Sequence, residues 1–91
     1  MKSPQRILVL EDSVTDAQLL RMRLFKEWPD CEIVEVTNEA DFAAALKEKR
    51  FDVILSDYFI PAFHGLFALA LAREHYPEIP FLFVTGNLRI M

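Results

Sequence analysis

Three short apolar runs in this chain stop at residues able to do chemistry. Ile7-Leu8-Val9-Leu10 is followed by Glu11-Asp12, Val53-Ile54-Leu55 by Ser56-Asp57, and Phe81–Val84 by Thr85. In an open parallel sheet, ligands bind at the carboxyl ends of the strands. A fold that aligned these runs would gather three carboxylates and a hydroxyl from distant parts of the chain. Such carboxylates repel: two unit charges ~4 Å apart cost about 4 kcal/mol at an effective dielectric of ~20. Proton uptake or a cation must compensate. Oxygen-only ligands favour a hard ion, and Mg²⁺ is the usual choice where a phosphoryl group is handled. A carboxylate beside Mg²⁺ and a hydroxyl suits nucleophilic phosphoryl transfer through an acyl phosphate. Catalysis would then be positioning and charge neutralisation.

The elements that must position these groups alternate regularly. The run 7–10 is continuous, as in a strand buried on both faces. Ser13 opens a helix with Asp16 at the capping-box position, and Val14, Ala17, Leu20, Leu24 and Trp28 recur at helical spacing up to Pro29-Asp30. Glu32–Val36 alternates acidic and β-branched residues, which suits a strand near a sheet edge. Asn38 caps a second helix with Asp41 at its capping-box position, Phe42, Ala45 and Leu46 on its apolar face, and Lys47, Lys49 and Arg50 in its last turn. After the third run, Pro61 and Gly65 punctuate a loop, residues 66–76 read as a largely apolar helix closed by Pro77, and Phe81–Val84 forms the fourth run. The order βαβαβαβ predicts a parallel sheet with helices on its faces.

Bulk composition narrows the partners. The 91 residues fit a single domain, and 53% hydrophobic content is enough for a core. A net charge of −4, with one short basic run at 47–50, makes nucleic acid and anionic membrane poor partners. No stretch approaches the ~20 apolar residues of a membrane span. The run 7–10 is too short for a signal peptide's apolar region. Cys31 is the only cysteine, so no internal disulfide forms, and it reads as a half-buried strand residue. His64 and His75 read as surface residues, and Phe63, Phe67, Phe81 and Phe83 as core or contact surface. A cytoplasmic, reduced, soluble protein is expected.

The segments that carry the chemistry resemble a known family. Leu8-Val9-Leu10-Glu11-Asp12-Ser13 looks like the first strand and acidic pair of response-regulator receiver domains of two-component signalling. Asp57-Tyr58-Phe59-Ile60-Pro61, with Gly65 beyond, resembles the phosphoacceptor loop, and the segment 79–86 resembles the fourth strand and its hydroxyl residue. Each motif alone is weak, whereas three in this order and spacing are specific. The resemblance covers residues 5–86. It implies a flavodoxin-like three-layer α/β fold with strand order 2-1-3-4. It implies that Asp57 accepts a phosphoryl group from a histidine kinase or a phosphotransfer protein. Asp12, Asp57 and the Phe59 backbone carbonyl would ligate Mg²⁺, Glu11 would act mainly through water, and Thr85 would hydrogen-bond a phosphoryl oxygen. The chain would be a signalling phosphoacceptor, not a conventional enzyme.

Family members continue through a fourth helix, a fifth strand carrying a lysine that pairs with the phosphoryl group, and a fifth helix. The chain is therefore expected to be a single, incomplete receiver domain over residues 1–91, without a counterpart of that lysine. Arg89 is cationic but sits in a different element. Strand four becomes a sheet edge, with Phe81 and Phe83 on one face and Leu82 and Val84 on the other. Covering one such side chain is worth ~1.5–3 kcal/mol, and bare apolar edges invite pairing. A homodimer through Phe81–Val84 and the adjoining apolar surface is expected. The alternative function is a pseudo-receiver that binds itself or a protein partner without phosphotransfer. A phosphatase of the haloacid dehalogenase class wants a second Asp two residues after the nucleophile, where Phe59 stands.

Overall fold

The computed structural model describes residues 4–48, 50–57 and 65–84, with the backbone alone described for Asp57 and residues 65–68. The elements follow in the order β1 (Arg6–Leu10), α1 (Val14–Glu27), β2 (Glu32–Val36), α2 (Glu39–Glu48), β3 (Val53–Asp57), α3 (Gly65–His75) and β4 (Phe81–Val84). All strand pairings are parallel, in the order β2-β1-β3-β4. This is the expected flavodoxin-like arrangement. The alternating strand of the sequence, β2, lies at one edge, and β4 at the other.

Strand pleating sends successive residues to opposite faces, and the core divides accordingly. Leu8, Leu10 and Ile54 pack with Phe42, Ala45 and Leu46 of α2 and with Ala72 of α3. Ile7, Val9, Val53, Leu55 and Val84 pack with Leu20 and Leu24 of α1. The sheet is thus sandwiched, with α1 on one face and α2 and α3 on the other. Residues 7–10 are all buried, which explains the unbroken apolar run.

Both helix starts read from the sequence are present. The Asn38 Oδ1 accepts from the Asp41 N–H at 2.8 Å, and its Nδ2 donates to Asp41 Oδ2 at 3.0 Å. The Ser13 Oγ accepts from the Asp16 N–H at 3.3 Å. α1 ends where the Trp28 N–H reaches the Leu24 carbonyl, and Pro29-Asp30 form the turn that follows. Arg73 Nη1 donates to the carbonyls of Pro77 and Ile79 at 2.6 and 3.0 Å, closing the end of α3 onto the approach to β4.

Four local readings differ. Val14 is 74% exposed although it continues the helical period. Arg50 lies beyond the end of α2, pairing with Glu78 at 3.4 Å and standing over the Tyr76 ring. α3 starts and stops one residue earlier than the period suggested. Cys31 precedes β2 and is buried rather than half-buried, because it fills the core under the α1–β2 turn. Lys49 and His64 lie outside the described residues; His75 is exposed, as expected. Among the described residues no helix is long and apolar enough to cross a membrane.

Candidate functional site

The carboxyl ends of the strands come together as the topology requires. Leu10 pairs with Ser56, and Asp57, the last residue of β3, pairs with Val84 at the end of β4. Glu11 is therefore level with Asp57 on the adjacent strand, about 4.8 Å away along the hydrogen-bonding direction. Asp12 follows at the mouth of the sheet. Thr85 is the next residue after Val84; it and Phe59 lie outside the described residues, as does the rest of the loop 58–64.

The two acidic residues after β1 sit in different surroundings. The Glu11 N–H still donates to the Val36 carbonyl of β2 at 3.0 Å, so its backbone belongs to the sheet. Its side chain is 8% exposed, and Oε1 accepts from the Ser13 N–H at 2.9 Å. That carboxylate faces the first turn of α1, where the helix dipole favours negative charge. Asp12 is exposed. Ser13 is fixed on both sides: its N–H goes to Glu11, its Oγ to the Asp16 N–H, and its carbonyl accepts from the Ala17 N–H at 2.9 Å.

Asp12 is thus an outward-facing acid between two anchored neighbours. The oxygen donors at this end of the sheet suit a hard divalent cation such as Mg²⁺. Asp12 and, from β3, Asp57 would hold it. Among the described residues no group of three His, Cys, Asp or Glu side chains is close enough to hold a metal.

Beside Asp12, on the β2 side, lies a shallow cavity of about 180 Å³ lined by residues that include Val14, Ala17, Arg21 and Glu35. Arg21 and Glu35 form an ion pair that ties α1 to β2. The sequence carries no signal for this pair, which depends on the helix and strand being neighbours in space. Nor did the Glu11–Ser13 bond announce itself. Ser56, buried at 1%, was read only as part of the run into Asp57.

Comparison with known proteins agrees with this fold. The response regulator receiver domain family matches residues 7–90. The chain is 30% identical over 81 residues to the DNA-binding transcriptional regulator NtrC of Proteus hauseri, covering 89% of this chain and 17% of that protein. The solved response regulator from Hahella chejuensis superposes with a TM-score of 0.79 at 25% identity, covering 89% of this chain and 63% of that one. The receiver domain of the Saccharomyces cerevisiae response regulator Ssk1, co-crystallised with the histidine phosphotransfer signaling protein Ypd1, gives a TM-score of 0.68 at 20% identity, over 93% of this chain and 65% of that one. The chain spans about a fifth or less of the length of the curated relatives and about two thirds of the solved chains. With the matched region running from β1 past the end of β4, the chain belongs to the response regulator receiver domain family.

Proposed function

We propose that this chain is the phosphoacceptor of a two-component phosphorelay, with Asp57 as the acceptor and a phosphohistidine as the donor. One observation supports the reading: β1 pairs in parallel with β3 up to Leu10–Ser56 and β3 with β4 up to Asp57–Val84, so Asp57 ends its strand level with the acids that follow β1. A carboxylate oxygen of Asp57 attacks phosphorus. The bond from phosphorus to the donor imidazole breaks, and the nitrogen leaves with the electron pair and takes a proton. The products are an acyl phosphate and a neutral histidine.

Mg²⁺, when bound, supplies the positive charge that offsets the acids and the phosphoryl oxygens. Asp12 and Asp57 are its side-chain ligands in this reading, with the Phe59 carbonyl as the backbone ligand. Thr85 donates its hydroxyl to a phosphoryl oxygen. The donor is a histidine kinase or a phosphotransfer protein, met in the cytoplasm. The exposed large hydrophobics among the described residues, Val14, Leu19, Met22 and Phe25, all lie on α1. That helix starts at the acidic end of the sheet, so an apolar partner resting on it could reach Asp57.

Intact-protein mass spectrometry after acetyl phosphate and Mg²⁺ tests this. A single phosphoryl adduct is expected on the wild type and not on Asp57→Ala or in EDTA. A folded wild type that takes up no phosphoryl group overturns it.

The second reading, a binding module without phosphotransfer, is favoured by a different feature. Phe81, Leu82 and Phe83 on edge strand β4 are only half-buried. Leu82 also lines a wholly apolar cavity of about 270 Å³ with Leu24, Trp28, Leu55 and Pro80. Homodimerisation through β4 and this surface is compatible with either reading.

A further inference from the structure

We draw no further inference here: the strongest candidate, the wholly apolar cavity of about 270 Å³ between α1 and edge strand β4, lined by residues that include Leu24, Trp28, Leu55 and Leu82, carries nothing because nothing in the structure shows what covers it.

Discussion

Leu10 of β1 pairs with Ser56 of β3, and this one register contact sets the acids of the first strand beside the last residue of the third. The pairing is enforced by burial, because Leu10 and Ser56 are 0% and 1% exposed. Sliding β1 by one residue would swap the side chains fitted to the two helix layers and draw Glu11 into the strand. The register thus brings the acids after β1 and the end of β3 to one end of the sheet.

The proposed phosphoacceptor role predicts a stabilisation by Mg²⁺. A ligand that binds only the folded state at tenfold its Kd contributes about 1.4 kcal/mol. For a domain of this size that raises Tm by roughly 5–10 °C. Thermal melts with and without Mg²⁺ should show the rise in the wild type and little of it in Asp57→Asn. That variant should melt higher than the wild type without the ion, because one of the charges at this end of the sheet is gone.

Asp52 holds the other end of the sheet. One of its carboxylate oxygens accepts from the backbone N–H groups of Gln5 and Arg6, at 2.7 and 3.0 Å, while its own N–H donates to the Arg6 carbonyl. It joins the starts of β1 and β3 far from the acidic site. Asp52→Ala should cost about 1–2 kcal/mol, the range for lost charge-assisted hydrogen bonds at a solvated position. Urea unfolding measures it, and phosphoryl uptake by the folded fraction should be unchanged.

The layers were legible in the sequence because burial writes itself into local pattern. Residues 7–10 had to be apolar on both faces, the acids mixed into Glu32–Val36 marked an edge strand, and Asn38 with Asp41 announced α2. The gathering of acids at one end of the sheet was legible for a related reason: Glu11-Asp12 and Asp57 each follow an apolar run, and the parallel pairing of β1 with β3 brings those strand ends level. What was not legible depends on neighbours that only the folded sheet creates. The Arg21–Glu35 pair crosses from helix to strand, and the Ser13 amide was claimed by Glu11, so Asp16 fills only half of the expected capping box. Val14 obeyed the helical period yet is exposed, since periodicity carries no information about where the facing layer ends.

Burial pushes the Cys31 thiol pKa up; its own backbone hydrogen bond pulls it down, and the nearby Asp30 charge adds to the rise. The unfolded chain ionises this thiol near pH ~8.5, whereas the folded one resists. The folded state binds the proton more tightly, so its contribution is complete below the unfolded pKa and is lost as pH rises through the folded one. Stability should fall on the alkaline side of about pH 8.5, by less in Cys31→Ala than in the wild type. Denaturant unfolding across pH 7 to 10 checks this, and iodoacetamide should label Cys31 slowly until the protein is unfolded.

Strand β4 makes the last prediction. It pairs with β3 through Ile54–Phe81 and Asp57–Val84, while its other edge has no strand beside it in the described sheet. The rings of Phe81 and Phe83 stand 5.3 Å apart, edge to face, both half-buried, and Leu82 projects to the opposite side. An edge with this much apolar surface and no lysine or proline within it lacks the usual guards against pairing. Light scattering at micromolar concentration should give twice the chain mass of 10.6 kDa. Phe83→Lys places a charge on the edge and should return the protein to a monomer, with phosphoryl uptake on Asp57 retained. A monomeric wild type would show that the surface beside β4 is not a self-association site. A dimer that persists in Phe83→Lys would place the contact elsewhere, with the exposed face of α1 the next surface to alter.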